Sequence, residues 1–89
     1  MSQEREEKTH ELKIWPEFFQ AVVLGKKKHE VRINDRDYQV GDMLVLKEFN
    51  PESNAFTGNQ HCVDVTYITY GGKWGLPEGM CIMSIEDEK

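Results

Sequence analysis

Apolar residues recur at every second position in short runs along this chain, and each run is cut after about eight to twelve residues by a cluster of turn-forming side chains. Alternation of that kind sets one face of a strand against a core and the other in water, so the chain is predicted to be built mainly of strands. Leu12 and Ile14 alternate with polar neighbours from His10 to Ile14, and Val31 and Ile33 share one face of Lys28 to Ile33 while Glu30 and Arg32 share the other. Val63, Val65 and Tyr67 alternate with Asp64, Thr66 and Ile68, and Met80 to Ile85 reads as the last strand. Met43 to Phe49 is apolar on both faces until Lys47 and Glu48, which predicts a central strand. One stretch departs from the period of two. Trp15-Pro16 opens a helix with proline at its first position, Phe18 and Val22, like Phe19 and Val23, stand four residues apart, and Gly25 supplies the stop.

Between these runs lie the turn segments. Asn34-Asp35-Arg36-Asp37 is expected to join the strand ending at Ile33 to another at Tyr38 to Val40, and Asn50 to Gly58 is expected to break the chain again. Strands this short favour a small barrel or strongly curled sheet, because closure removes exposed edges. The predicted fold is therefore mainly β with α: a small barrel of about five to six strands with one principal helix after the first strand.

A chain of 89 residues has room for one modest core. Residues 9–85 are read as that domain, 1–8 as a disordered tail and 86–89 as an acidic tail, neither tail carrying function. Apolar runs stay well short of the roughly 18 residues that a membrane helix requires, and Ser2 to Lys8 is charged where a signal peptide would turn apolar. Cys62 and Cys81 make neither a disulfide framework nor a CxxC pair. A cytoplasmic protein without membrane contact is expected, in a bacterial or phage setting.

The net charge of −5 argues against indiscriminate binding along a duplex, yet it hides an uneven distribution. Lys26, Lys27, Lys28, Arg32 and Arg36 stand against only Glu30 and Asp35 between positions 26 and 36. At the start of that stretch a helix stop, a bend and a strand meet. Glu30 and Arg32 point to the same face of the strand about 7 Å apart, and a bend between Gly25 and Lys28 would aim Lys27 at the same place. Arginine offers a planar fork for phosphate, lysine a point charge, and glutamate an acceptor for a base amino group. The competing structural reading is an ion pair on a solvated surface, worth only about 0 to 1 kcal/mol.

Around the trio, Lys13 and Arg36 are the next candidates for anionic contacts, and Trp74 in its glycine-rich loop could stack on a base. Asn34 and Asp35 are read as turn formers, His10 as a residue able to line the cleft, and His29 as packed beside Val31. Adjacent His61 and Cys62 point to opposite faces of a strand and show no zinc spacing, so neither a metal site nor a cofactor is expected.

The pattern G-x-K-x-x-E-x-R, filled by Gly25, Lys27, Glu30 and Arg32, resembles the signature of ASCH domains, which belong to a PUA-like barrel superfamily. A wider set extends the likeness: His10-x-Leu12-Lys13, Phe18-Phe19-x-x-Val22, Asn34-Asp35-Arg36, Val40-Gly41-Asp42 and Thr57-Gly58. Together they resemble a small ASCH-related family of bacterial and phage proteins of undetermined function, over His10 to Ile85. The resemblance implies a β-barrel with a helix beside a cleft, and RNA or a nucleotide as the partner. Some ASCH-like proteins are similar to amidohydrolases that deacetylate acetylated cytidine, with a lysine at the position of Lys27 and a threonine at that of Glu30. Here a carboxylate replaces the hydroxyl nucleophile, leaving Lys27 and Glu30 as an acid and base pair if there is any catalysis. A protein-interaction or regulatory module is the remaining alternative.

Overall fold

The computed structural model describes residues 6–88. Its elements are β1 (Thr9–Ile14), α1 (Pro16–Val23), β2 (His29–Ile33), β3 (Met43–Asn50), β4 (Ala55–Tyr70) and β5 (Met80–Asp87). The five strands form a single curled sheet in the order β1-β3-β4-β5-β2. β1 runs parallel to β3, and the other neighbouring pairs are antiparallel. The fold is thus α+β and mostly β, with one short helix.

β1 and β2 are the two outer strands, and no main-chain ladder joins them among the described residues. The sheet is open where a closed barrel was expected. Side chains span the seam instead: Arg32 Nη2 donates to the Lys13 carbonyl at 2.7 Å, and Arg36 Nη1 donates to the Glu11 carbonyl at 2.8 Å. A ladder would need the two backbones within about 4.8 Å, which leaves no room for a guanidinium between them.

Leu12 and Ile14 of β1, Leu44 and Leu46 of β3, Val63, Val65 and Ile68 of β4, and Cys81, Met83 and Ile85 of β5 form the core with Tyr38. The helix covers this core with Phe19 and Val22 and packs on β3. Pro16 occupies the first helical turn, where its missing N–H is no loss, and Gly25 at φ +77° follows the last turn. Phe18 and Val23, which share the four-residue spacing with Val22 and Phe19, are each about half exposed, because eight residues turn only one narrow stripe toward the sheet.

Several boundaries differ from the sequence reading. Tyr38 to Val40 is not a strand; Tyr38 is a buried anchor within an irregular connection. The break after β3 is confined to residues 51–54, since Phe49 already pairs with Phe56 and Asn50 with Ala55. Opposite Glu48 the register slips, and the carboxylate accepts from Thr57 Oγ1 at 2.7 Å and Asn59 Nδ2 at 3.1 Å. β5 continues to Asp87 and so takes in part of the expected acidic tail, while residues 1–5 of the expected N-terminal tail and residue 89 lie outside the described residues.

β2 is reversed with respect to its apolar pattern. Val31 and Ile33 are 46% and 65% exposed, whereas Glu30 is 3% exposed. Pairing with β5 sets Val31 opposite Ile82 and Ile33 opposite Met80 on the outer face, and Glu30 opposite buried Met83 on the inner one. Apolar cross-strand pairs form on either face of a sheet, and here they form on the outer one. The inner face at the seam holds charge.

Candidate functional site

Burying Glu30 demands partners, because an isolated carboxylate away from water is costly. It has two. Lys27 Nζ donates to Oε1 at 2.8 Å, and Arg32 Nε donates to Oε2 at 2.9 Å. Lys27 reaches this point because the chain bends after the helix: Gly25 takes its left-handed conformation, and the Lys26 and Lys27 amides both return to the Ala21 carbonyl at 2.9 and 3.0 Å. A second bond from Lys27 Nζ, to the His29 carbonyl, holds the ammonium against the strand. Both cations are fixed by hydrogen bonds on either side of one carboxylate.

They stand in a cleft of about 480 Å³ between the end of β1, the start of α1 and β2. Among the described residues its charged lining is Lys13, Lys27 and Arg32 against Glu30. Its walls include Trp15 and Phe18, 51% and 45% exposed, with Lys27 Nζ 5.9 Å from the centre of the Phe18 ring. Lys13 marks the rim, its ammonium 4.4 Å from the centre of the Phe49 ring. Such a hollow offers charge for an anion and flat apolar faces for a planar ring.

The family model described as "Domain of unknown function (DUF3850)" matches residues 9–85, a span that includes every residue lining the cleft. The chain belongs to that family. A protein of Escherichia phage P2, described as "Uncharacterized 12.9 kDa protein in GpA 3'region", is 37% identical over 67 residues, which make up 75% of this chain and 60% of the relative. The chain therefore spans about three fifths of that relative's length.

Within this DUF3850 domain the residues singled out in the sequence separate into groups. Lys13, Lys27, Glu30 and Arg32 meet in the cleft. Arg36 lies beyond Arg32 along the seam and lines a neighbouring hollow with Asp35 and Tyr38. Trp74 is 91% exposed in a turn of its own, lining a separate hollow made by residues 72–78. Asn34 does form the turn, its Oδ1 accepting from the Tyr38 amide at 3.3 Å.

Two histidines exchange the places expected of them. His10 does not line the cleft; it is buried at 7% exposure with its Nε2 2.8 Å from Asp42 Oδ2 and its ring edge-on to Tyr38. Asp42, fully buried, also accepts the Lys8 and Gln39 amides at 3.0 and 3.1 Å, so the pair ties the N-terminal end of β1 to the connection before β3. His29, expected to be packed, is exposed and lines the cleft, because β2 is reversed.

Trp15 and Phe18 line the cleft, although the sequence reading gives them a place in the helix and none in the candidate site. The signal lay in helix length: eight residues cannot bury Trp15, Phe18, Phe19, Val22, Val23 and Leu24 together. Cys62 and Cys81 are free thiols in strands β4 and β5, and burial pushes the Cys81 thiol above its ordinary range. Among the described residues no cluster of metal-ligating side chains occurs, and no helix is long and apolar enough to cross a membrane.

Proposed function

We propose that the cleft binds a nucleotide or a short segment of RNA, as an ASCH-like domain whose curled sheet is an open, PUA-like half-barrel with arginines across its seam. The observation that carries this reading is the placement of Lys27 and Arg32, clamped on buried Glu30, beside the half-exposed rings of Trp15 and Phe18. Lys27 and Arg32 contact phosphate with the donors not used on Glu30, and Trp15 and Phe18 stack on the base. Lys13 adds attraction at the rim. Glu30 takes a different role from the base acceptor first assigned to it: with each oxygen held by a cation, it positions the two phosphate contacts. Free thiols at Cys62 and Cys81 suit a reducing cytoplasm.

An amidohydrolase would use Lys27 and Glu30 to move protons. Both groups are engaged, Lys27 on Glu30 and Glu30 also on Arg32, which suits holding a ligand better than exchanging protons with water.

The test is fluorescence anisotropy with labelled single-stranded RNA between about 50 and 200 mM salt. Lys27→Ala is expected to weaken binding about tenfold and to lower the salt slope by about one, and Arg32→Ala to do the same if its folding is intact by circular dichroism. Unchanged affinity in a folded Lys27→Ala variant would overturn the assignment. Acetate released from acetylated cytidine would favour the hydrolase instead, and a protein partner retained after nuclease treatment, without RNA affinity, would favour an interaction module.

A further inference from the structure

An outer strand normally presents unpaired carbonyls to water. Here two carbonyls on the open edge of β1, those of Glu11 and Lys13, are taken by Arg36 and Arg32. Being two residues apart on one strand, they stand about 7 Å apart. They therefore hold two guanidinium groups in register along the seam. Each guanidinium has five N–H donors. Arg32 turns Nε and Nη2 to Glu30 and Nη2 to the Lys13 carbonyl as well, which leaves Nη1, and Arg36 commits Nη1 to Glu11, so both retain donors beyond those bonds. The two positions also adjoin open space: the cleft beside the helix and a second hollow of about 360 Å³ share Val31 and Arg32, and Arg36 lines the far side of the second. Among the described residues Asp35 is the one carboxylate lining that second hollow, beside exposed Val31 and Ile33.

Resting on the reading of the cleft as a nucleotide site, we infer that Arg32 and Arg36 seat two successive phosphates of one strand. The ligand is then a single-stranded oligonucleotide of at least two nucleotides lying along β2. Successive phosphates of an extended strand repeat at a distance close to that between the two anchoring carbonyls, and a charged groove that follows the backbone is the usual way single strands are held. Because the β1 carbonyls orient both forks before the ligand arrives, little side-chain freedom is lost on binding.

Calorimetry or competition anisotropy with three probes tests this: uridine 5′-monophosphate, the dinucleotide pUpU with its two phosphates, and UpU with one. The parent protein should bind pUpU about tenfold more tightly than the mononucleotide or UpU, in keeping with one added phosphate contact. Arg36→Gln should abolish that gain while leaving mononucleotide affinity within about twofold, and Arg36→Lys, which keeps the charge but not the fork, should restore only part of it. Equal affinity of the parent for the mononucleotide and pUpU would overturn the inference and leave the cleft assignment standing, as would equal weakening of both probes by Arg36→Gln. Failure of the parent to bind any of the three would overturn both.

Discussion

Glu30 faces inward from β2 while its apolar neighbours Val31 and Ile33 face outward. Its carboxylate is nearly sealed from water between Lys27 and Arg32, and loss of one member of such a buried group leaves the others uncompensated. Glu30→Ala is expected to lower unfolding free energy by about 3 kcal/mol in a urea titration, and a change below about 0.5 kcal/mol would show that the trio behaves as a surface pair. Asp42 makes a second buried polar centre, bonded to His10 and to two main-chain amides. Asp42→Ala should therefore cost about 2 kcal/mol or more, well beyond Asp87→Ala, which removes only an exposed partner of His61; equal costs would contradict this account. Burial also raises the Tyr38 phenol and the Cys81 thiol above their ordinary values. For an acid whose folded value is raised, the favourable contribution is complete below the unfolded value and is lost as pH climbs through the folded one. Stability should accordingly hold from neutrality until about pH 8.5 to 10 and then fall, with Tyr38→Phe losing less than the parent above that range; a parent equally stable at pH 11 would contradict the direction. The residue types of the trio were legible in the sequence, but the inward turn of Glu30 was not, since alternation alone assigns Val31 and Ile33 to the core and carries no information about ion pairs.

Among the elements, the helix and most strands were the parts most open to reading. Pro16 and Gly25 bracket α1 as local chemistry requires, and β1, β2, β3 and β5 follow their periodic segments closely. Gly25→Ala places a side chain at φ +77°, where it should cost about 1 kcal/mol and, by disturbing the bend that aims Lys27, weaken ligand binding as well. Binding unaltered in that variant would show that the bend does not position the ammonium. A more severe constraint lies at Gly71, where a Cβ would come 1.9 Å from the Pro77 carbonyl oxygen, so Gly71→Ala should lower the melting temperature markedly, and by more than Gly72→Ala, which has open space around it and carries only the backbone strain of a side chain at φ +102°. The early start of β4 was hidden because Thr57, Gly58 and Asn59 look like a turn. They are instead a bulge stitched to Glu48, a contact between positions nine and eleven residues apart that no local pattern reveals.

At the scale of the whole molecule, a curled five-stranded sheet leaves one seam open, and that seam carries the candidate site. Short strands call for closure and so led to the expectation of a barrel; the sheet stays open, and the sequence does not show that Arg32 and Arg36 reach β1 carbonyls across its seam, since that depends on which strands become the outer ones. Trp74 was attractive in sequence for the same reason, an exposed aromatic near glycines, but its turn lines a hollow of its own while Trp15 and Phe18 flank the charged cleft. The seam and the helix start thus place cations and rings together where no single motif could. The most direct test is a ¹⁵N-resolved NMR titration of the intact chain with a short single-stranded RNA at low salt. Binding at the cleft predicts saturable shift changes concentrated at residues 13–18 and 27–36, with the Trp15 indole N–H among the most affected and the Trp74 indole N–H nearly still. Changes centred on Trp74 or on residues 51–60, or none at all at millimolar RNA, would contradict it.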